Sequence, residues 1–428
     1  MTVQIVPSIL KGTVTAIPSK SELHRALICA SFCDKPTDII VPGPAYAAQE
    51  NIPDDICATV SCLKALGASI LFSPNRFHVT PISSVADAPQ LDCQESGSTF
   101  RFLLPIAAAC SRNAQFTGTG RLPVRPIQEL LSVLETHGID TSSHRLPLKL
   151  SGALEGGNFL IPGNVSSQYL TGILLTLPLL PKGSDILLST ELSSKSYIDI
   201  TVDIMSKFGV EVLCEDGRYY LSESSSYCSP GTVIISGDWS NAATFLIAGA
   251  INKNNSISVS NLDINSPQGD RSVINILKSF GADISTVPEG IICHSDSLSG
   301  VELDIDTTPD LMPVLAVAAM ASFGNTIFFN AERLRGKESD RIHSVEEMVL
   351  SLKGQSQSEL DSITINGNLH VTGGVVDSFN DHRIVMAATI ASCIADAPIT
   401  ILNAEAISKS YPSFFEDFRS LGGTVHVI

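Results

Sequence analysis

The sequence predicts an α/β protein of two lobes, each built from three modules of about 71 residues. The main observation is a phrase in which a helical pattern ends at Gly and a short apolar strand follows, as in LKALGASILF. Its glycines are Gly67, Gly138, Gly209, Gly281, Gly354 and Gly422, at intervals of 71, 71, 72, 73 and 68 residues. Gly is favoured after a helix because it adopts left-handed backbone angles freely. One such phrase means little, but six at a near-constant spacing indicate a repeated architecture.

Within the repeats, β-rich runs alternate with helical patterns. TVIISG from Thr232 and SISVSNL from Ser256 are typical of strands, and AATFLIAGAI from Ala242 is typical of a helix. Each repeat is therefore predicted to be a βαβαββ-type module. Solenoids use shorter units with capping ends, so six modules of this size favour two globular lobes. The lobe boundary is expected near residues 232–237, at the midpoint of the repeats.

Composition narrows the class of protein and of ligand. The chain has 428 residues, 44% hydrophobic and 17% charged, which excludes a disordered chain. Forty-four acidic against 27 basic residues give a net charge of −17, which opposes nonspecific binding to nucleic acid or anionic membranes. We therefore expect neither partner, and any anionic ligand must be captured by a local basic cluster.

The sequence also predicts a cytoplasmic protein. The longest apolar run, Leu311 to Phe323, is too short to span a bilayer, and residues 1–12 lack the features of a signal peptide. The 10 cysteines are scattered without CxxC spacing, so we interpret them as small buried hydrophobic residues rather than as disulfides or metal ligands.

Polar and basic residues cluster at predicted helix starts. Ser19 and Glu22 have the spacing of a capping box, and Lys20, Ser21 and Arg25 lie on or near that first turn. Helix N-termini offer unpaired N–H groups and a positive dipole end, which suit phosphate and carboxylate. Comparable starts are Ser96 to Thr99 before Arg101, Ser166 to Gln168, Asn380 to Arg383, and Ser408-Lys409 before a helix at Pro412.

The densest charged segment is RLRGKESDR, residues 333–341, which follows the apolar strand pattern NTIFFN. A charge run is usually a solvated surface. Here it lies at a strand-to-helix turn, where α/β proteins tend to place ligands. The segment is therefore predicted to belong to a binding site.

Taken in order, these segments resemble the family of 5-enolpyruvylshikimate-3-phosphate synthases. The motifs that carry the resemblance are PSKSELHRAL, ESGSTFRFLLP, VRPIQELL, SSQYLTG, SKSYIDIT, GDWSNAATF, PDLMPVLA, RGKESDR, NDHRIVMA and KSYP, over residues 18–412. The resemblance implies the two-lobed enolpyruvyl transferase fold, an inside-out α/β barrel in each lobe, with the active site in the cleft. It places residues 14–235 in one lobe and residues 1–13 with 236–428 in the other.

The implied reaction transfers the enolpyruvyl group of phosphoenolpyruvate to the 5-hydroxyl of shikimate 3-phosphate and releases phosphate. Carried over by motif, the residues expected to hold shikimate 3-phosphate are Lys20, Ser21, Arg25, Ser166, Ser167, Gln168, Ser194, Tyr197, Asp310 and Lys337. Those expected to hold phosphoenolpyruvate are Lys20, Gly97, Arg125, Gln168, Arg341, Arg383 and Lys409.

The resemblance also implies catalytic roles. Asp310 is the expected base for the 5-hydroxyl, and Glu338 is expected to handle the proton at the methylene carbon of phosphoenolpyruvate. Lys20, His382 and Lys409 are expected to stabilise or relay charge at the departing phosphate. We expect a monomer that works without cofactor or metal.

Two positions depart from the pattern of the family, and two other functions stay open. His24 stands where many relatives have Asn, and Arg333 where some have an Asn that contacts the shikimate ring.

The first alternative function is the related UDP-N-acetylglucosamine enolpyruvyl transferase. That family typically carries a reactive Cys in the loop matching residues 113–125, and this chain has none there. The second is a non-catalytic anion-binding relative, which would be expected to have lost an acid or a base. Residues 354–366 match poorly and are assigned no function.

Overall fold

The computed structural model describes residues 1–181, 183–222, 225–252, 255–287, 290–295, 297–367 and 371–428. The chain divides into two compact units. Unit 1 comprises residues 1–17, 43–45 and 236–428, and unit 2 comprises residues 18–42 and 46–235. The chain therefore starts in unit 1, builds almost all of unit 2 and then returns.

The strands, in chain order, are β1 (Val3–Val6), β2 (Gly12–Thr15), β3 (Thr37–Ile40), β4 (Ser69–Ser73), β5 (Arg76–Thr80), β6 (Gln90–Asp92), β7 (Asn113–Thr117), β8 (Ile139–Thr141), β9 (Leu148–Gly152), β10 (Asn158–Ile161), β11 (Asp185–Leu188), β12 (Val212–Glu215), β13 (Arg218–Leu221), β14 (Thr232–Ile234), β15 (Ile257–Ser260), β16 (Asp283–Val287), β17 (Gly290–His294), β18 (Glu302–Asp304), β19 (Asn325–Phe329), β20 (Gln355–Ser358), β21 (Ser362–Asn366), β22 (Gly374–Asp377), β23 (Ile399–Leu402) and β24 (Thr424–Val427). The α-helices are α1 (Lys20–Ser31), α2 (Asp54–Leu66), α3 (Gly97–Cys110), α4 (Gln128–Thr136), α5 (Ser167–Thr176), α6 (Lys195–Lys207), α7 (Trp239–Ile251), α8 (Val273–Phe280), α9 (Met312–Ala321), α10 (Arg341–Ser351), α11 (His382–Ala391) and α12 (Phe414–Ser420).

Over the described residues, these strands form six four-stranded sheets of one topology. The orders are β14-β3-β5-β4, β6-β7-β9-β8 and β10-β11-β13-β12 in unit 2, and β2-β15-β17-β16, β18-β19-β21-β20 and β22-β23-β1-β24 in unit 1. In each sheet the first two strands are parallel and the other neighbours are antiparallel. The predicted α/β fold of six βαβαββ modules, three in each unit, is confirmed.

Strand exchange explains where the chain passes between units. β2 pairs in parallel with β15, with Gly12 opposite Ile257, whereas β14 pairs in parallel with β3, with Thr232 opposite Asp38. Each of these two modules therefore takes its first strand from a distant part of the chain. The N-terminal strand β1 completes the sixth sheet between β23 and β24.

The helices fall into two classes. The first helix of each module is buried nearly all round: all ten residues of α11 and nine of the ten in α5 are buried. The second helix is amphipathic, as in α8, where three of eight residues are buried. Each unit thus packs three apolar helices at its centre, namely α1, α3 and α5 in unit 2 and α7, α9 and α11 in unit 1.

Five repeat glycines have the expected backbone. Gly67, Gly138, Gly209, Gly281 and Gly422 have φ between 78° and 120°. The sixth copy is displaced by one residue, because Lys353 takes the left-handed conformation (φ 64°) and Gly354 does not. Gly354 instead packs closely against Val349, where a Cβ atom would lie 2.7 Å from Cγ1.

The cysteines are free thiols, and Cys214 and Cys228 are exposed, so the expectation of burial is wrong for these two. Among the described residues, no helix combines the length and apolar character needed to cross a membrane.

Candidate active site

The central helices of unit 2 begin at capped N-termini, as their sequences predict. Ser19 accepts a hydrogen bond from the Glu22 amide (3.3 Å), and Ser96 caps α3 through the Thr99 amide (3.1 Å). Ser166 caps α5 through the Gln168 amide (3.3 Å). Each capped helix leaves other first-turn N–H groups and its positive dipole end available to an anion.

Side chains cross-link the starts of α3 and α5. Arg101 donates from Nη1 to Oε1 of Gln168 (3.0 Å) and from Nη2 to the carbonyl of Pro126 (2.8 Å). Gln168 donates from Nε2 to Oγ of Ser98 (3.0 Å). The Gln168 amide is thereby fixed beside Ser167, which is the first residue of α5 and is buried.

Gly97 faces two guanidinium groups. A Cβ atom built on Gly97 would lie 2.7 Å from Nη1 of Arg101 and 2.8 Å from Nη1 of Arg125. The missing side chain therefore allows both cations to approach the first turn of α3. Because charged forks bind phosphate and carboxylate bidentately, this group can hold an anion.

Arg25 connects α1 to α6. It donates from Nε to Oγ1 of Thr201 (2.8 Å), from Nη1 to the Ser21 carbonyl (2.7 Å) and from Nη2 to the Tyr197 carbonyl (3.1 Å). Burial lowers the pKa of Arg25 to about 10, which leaves it charged at neutral pH. Ser194, just before α6, is buried with a left-handed backbone (φ 52°), and such strain clusters at functional positions.

Lys20, the first residue of α1, donates from Nζ to Oδ2 of Asp55 at 2.7 Å. The two side chains are 17% and 18% exposed, so the ammonium group is oriented but still accessible. Sequence analysis missed Asp55, since an Asp in the first turn of α2 carries no signal for a partner 35 residues away.

In unit 1, Arg341 is held by three carboxylates. It donates from Nε to Oδ2 of Asp381 (2.9 Å), from Nη1 to Oδ1 of Asp310 (2.5 Å) and from Nη2 to Oε2 of Glu338 (2.8 Å). Its side chain is 1% exposed. Burial by itself lowers the pKa of Arg341, but Asp381, Glu338 and Asp310 raise it well above its ordinary value.

Asp310 lies among cations just before α9. Lys337 Nζ is 3.5 Å from Oδ1, and Arg383 Nη2 is 4.0 Å from Oδ2. Burial by itself raises the pKa of Asp310, but Lys337, Arg341 and Arg383 together hold it well below its usual range. The carboxylate is therefore ionised and about a fifth exposed, so it can accept a hydrogen bond from a ligand hydroxyl.

Arg383 brings the starts of the three central helices of unit 1 together. It lies in the first turn of α11, approaches Asp310 before α9, and donates from Nη1 to the Ser240 carbonyl in α7 (3.0 Å). Asp381 caps α11 through the Arg383 amide (2.9 Å) and is fully buried. The motif NDHR signalled the helix start but not the role of Asp381 in holding Arg341.

His382 and Lys409 lie near the same helix start. His382 is 4% exposed, with Nδ1 3.9 Å from Oδ1 of Asp381. Lys409 donates from Nζ to the Asn380 carbonyl (2.7 Å). The expected helix start at Ser408-Lys409 is wrong: these residues end a short 3₁₀ helix (Ala404–Lys409), and α12 begins only at Phe414.

The charged residues of segment 333–341 have two different roles, one structural and one in the Asp310 cluster. Arg333 pairs with Asp306, and Arg335 donates to Asp340 Oδ2 (3.0 Å), so these two arginines brace the segment. Lys337, Glu338 and Arg341 instead join the Asp310 cluster.

A second residue missed by sequence analysis is Asp270, in a short 3₁₀ helix (Gly269–Ser272). Burial, with the charges of Asp310 and Asp238, raises its pKa to about 7 despite the opposing effects of Ser240 and Arg383. A single Asp in a QGD sequence gives no hint of this, because the effect comes from burial and from charges distant in the chain.

The comparisons with known proteins agree on one family. The model of the EPSP synthase (3-phosphoshikimate 1-carboxyvinyltransferase) family matches residues 6–418. The 3-phosphoshikimate 1-carboxyvinyltransferase of Clostridium kluyveri is 40% identical over 429 residues, which cover 99% of this chain and 98% of that protein. The enzyme of the same name from Clostridium novyi is 37% identical over 437 residues, covering 99% and 98%.

Solved structures share the fold. EPSP synthase from Acinetobacter baumannii superposes with a TM-score of 0.81 at 24% identity, covering 99% of each chain. The enolpyruvyl transferase NikO from Streptomyces tendae superposes with a TM-score of 0.79 at 15% identity, covering 99% of this chain and 98% of that one.

Proposed function

Because the chain belongs to the EPSP synthase family, we propose that it transfers the enolpyruvyl group of phosphoenolpyruvate to the 5-hydroxyl of shikimate 3-phosphate. The products are 5-enolpyruvylshikimate 3-phosphate and phosphate. The protein is then a transferase of the shikimate pathway, on the route to chorismate and the aromatic amino acids. Units 2 and 1 would be the two lobes.

The observation that carries the proposal is the Asp310 cluster. An ionised carboxylate lies next to Lys337, Arg341 and Arg383, and Arg341 also orients Glu338. The reaction needs one group that takes a proton from a hydroxyl and another that exchanges a proton with carbon, both among cations that hold anionic substrates. Asp310 and Glu338, bonded to one buried guanidinium, fit these needs.

In the proposed addition step, the 5-hydroxyl oxygen attacks C2 of phosphoenolpyruvate and Asp310 accepts its proton, while Glu338, which must enter this step in its protonated form, gives its proton to C3. A tetrahedral adduct forms. In the elimination step, the C2–O bond to phosphate breaks, and a C3 proton returns to Glu338 as the double bond re-forms. The proton that Asp310 took from the hydroxyl passes to the departing phosphate, which returns Asp310 to its ionised form. Substrate anions would partly neutralise the cations around Asp310, which raises the proton affinity of its carboxylate when a proton is to be taken.

Unit 2 would supply most ligands for shikimate 3-phosphate. Arg25 and the starts of α1, α5 and α6 offer cationic and hydroxyl donors suited to a phosphate and a polyol ring. The proposed ligands are Lys20, Ser21, Arg25, Ser166, Ser167, Gln168, Ser194 and Tyr197, joined by Asp310 and Lys337 from unit 1.

Phosphoenolpyruvate carries a carboxylate and a phosphate, and both match guanidinium forks. The proposed ligands are Lys20, Gly97, Arg125 and Gln168 in unit 2, and Arg341, Arg383 and Lys409 in unit 1. Lys20, His382 and Lys409 would stabilise charge on the phosphate as it leaves. The scheme assigns charge neutralisation to Lys and Arg and needs no metal, so dialysis against EDTA is expected to leave the rate unchanged.

The UDP-N-acetylglucosamine reaction finds less support. Besides the absence of Cys from residues 113–125, the neighbouring Cys110 has a pKa raised by burial to about 11. A thiol of that pKa is almost entirely protonated at neutral pH and is a poor nucleophile.

A phosphate-release assay tests the function directly. With shikimate 3-phosphate and phosphoenolpyruvate, we expect steady release that requires both substrates, and with UDP-N-acetylglucosamine we expect none. Asp310→Asn is the control for contaminating phosphatase, because it should lose the coupled release. Release with UDP-N-acetylglucosamine alone as acceptor, or no release with either, would reject the proposal.

We also propose that the protein works as a monomer in the cytoplasm. Its net charge of −17 and its free thiols support this, since reduced cysteines are usual in that compartment. Light scattering after size exclusion should give the mass of one chain, 45.4 kDa.

A further inference from the structure

Four buried polar side chains link the first three helices of unit 2. Nδ1 of His24 is 2.7 Å from Oγ1 of Thr59, which is 2.6 Å from Oγ1 of Thr99. Thr99 donates from Oγ1 to Oγ of Ser96 (2.7 Å). All four residues are at most 1% exposed. They form a hydrogen-bond chain, here called the His24 chain, from the middle of α1 through α2 to the cap of α3.

The His24 chain runs beside the Lys20–Asp55 ion pair. Lys20 and His24 are one turn apart on α1, and Asp55 and Thr59 are one turn apart on α2, so both contacts join the same two helix faces. At its other end, Ser96 caps α3 directly before Gly97. The His24 chain thus connects the turn that presents Lys20 to the turn that presents Gly97.

The acceptors near the Thr99 hydroxyl determine which group donates in each hydrogen bond of the His24 chain. Thr99 O–H points to Oγ of Ser96 and lies 3.3 Å from the carbonyl of Asp55, so its proton is directed away from Thr59. Thr59 must then donate to Thr99 and accept from His24, which places the imidazole proton on Nδ1. Nε2 of His24 is buried with no hydrogen-bond partner among the described residues. Burial, with Lys20 and Arg25, keeps the pKa of His24 well below 6.5, so the ring is neutral.

Arg25, the proposed shikimate 3-phosphate ligand on α1, is held by contacts that are separate from the His24 chain. Arg25 binds Thr201 and the Tyr197 carbonyl of α6, and none of these atoms belongs to the His24 chain. Loosening the His24 chain should therefore shift α2 and α3 relative to α1 while leaving the contact between α1 and α6 in place.

We propose that His24 is a positioning residue, which through Thr59 and Thr99 fixes the distance between the Lys20 ammonium and the Gly97 turn and so sets the affinity for phosphoenolpyruvate. This inference rests on the proposed function. It extends that function by assigning each substrate its own helix contacts: those among α1, α2 and α3 position the ligands of phosphoenolpyruvate, and the contact between α1 and α6 positions those of shikimate 3-phosphate. The position that departs from the common Asn of the family thereby acquires a function.

The test replaces Thr59 with Val, which keeps the shape and removes the central hydroxyl. We expect KM for phosphoenolpyruvate to rise about fivefold to tenfold, the range for one lost hydrogen bond, while KM for shikimate 3-phosphate changes less than about twofold. Thr59→Ser should restore both values. Thr176→Val is the matched control: Thr176 is equally buried in unit 2, but within the described part of the chain its hydroxyl bonds only to the Gly172 carbonyl of its own helix.

The converse substitution sharpens the test. Thr201→Val removes a partner of Arg25 and should raise KM for shikimate 3-phosphate instead. Equal rises in both KM values with Thr59→Val, or no rise, would overturn the positioning role. If Thr59→Val does not fold, His24→Leu carries the same comparison from the other end of the chain. Absence of wild-type activity would reject the proposed function, whereas an active wild type with an unchanged KM ratio rejects only this inference.

Discussion

A methyl group added at Gly97 is expected to weaken phosphoenolpyruvate binding selectively. The Cβ of Gly97→Ala would lie 2.7 Å from Nη1 of Arg101 and 2.8 Å and 3.0 Å from Nη1 and Cζ of Arg125. Ordinary contacts of this kind begin near 3.4 Å, so the Arg125 guanidinium must retreat by about 0.6 Å or more. Arg101 is less free to move, because it is tied to Gln168 and Pro126.

The size of the effect follows from the interaction that is displaced. A hydrogen bond to a charged group contributes about 1.5–3 kcal/mol, so losing one Arg125 contact should raise KM for phosphoenolpyruvate roughly ten- to hundredfold. KM for shikimate 3-phosphate should rise by a smaller factor, because the Arg25 contacts lie on other helices. The fold should not suffer from the backbone, since Gly97 does not have a positive φ and Ala is the better helix former.

The assay is steady-state phosphate release with each substrate varied in turn, together with thermal unfolding of both variants. Gly336→Ala is the control, because the same methyl group there meets no atom within 4 Å and φ is again not positive. If Gly97→Ala lowers the melting temperature and leaves both KM values unchanged, Gly97 serves only the turn, and the reasoning that places phosphoenolpyruvate beside Arg125 is refuted.

Three further predictions concern unit 1. Asp310→Asn should lower kcat by about 10²-fold or more while calorimetry shows nearly unchanged binding of shikimate 3-phosphate, because the amide keeps the shape and part of the hydrogen bonding; abolished binding would leave Asp310 a role as ligand alone and reject it as the base. Asp270, with its pKa raised to about 7, binds more protons in the folded protein than in the unfolded chain between about pH 4 and 7, so the free energy of unfolding should fall across that range by up to about 4 kcal/mol. Asp270→Asn should flatten this dependence in denaturant titrations, and an unaltered slope would contradict it. Arg341→Lys replaces the planar guanidinium with an ammonium group that cannot donate to all three carboxylates in their fixed directions. The free energy of unfolding should therefore fall by about 3 kcal/mol or more in the same titrations. A loss below about 1 kcal/mol would show that the cluster does not require a guanidinium.

The repeat made the fold predictable because its signals are local. A few neighbouring residues suffice to recognise a glycine that ends a helix. The same holds for the alternation of apolar and polar residues in the strand that follows. The sixth copy was misplaced by one residue because Lys353 takes the left-handed conformation that the pattern assigns to glycine. The late start of α12 follows from Pro412, which disfavours helical angles at Tyr411 before it.

Some cations of the site were predictable in the same way, since Lys20, Arg341 and Arg383 lie in the first turns of helices with side-chain caps. Two of their carboxylate partners were not predictable. Asp55 meets Lys20 across 35 residues of sequence, and Asp381 meets Arg341 across 40. Such pairs exist only once the helices of a unit have packed against one another, so only the fold, or a family pattern that records it, can reveal them.

The pairing of charges in unit 1 also indicates what the Asp310 cluster contributes. In unit 1 the contacts join Asp310, Glu338 and Asp381 to Lys337, Arg341 and Arg383, so this cluster is formally neutral before any substrate arrives. In unit 2, Lys20 pairs with Asp55, and Arg101 and Arg125 both approach Gly97. Buried ion pairs add little net stability, so the neutral cluster of unit 1 is better explained as a fixed frame that holds acid and base in reactive positions.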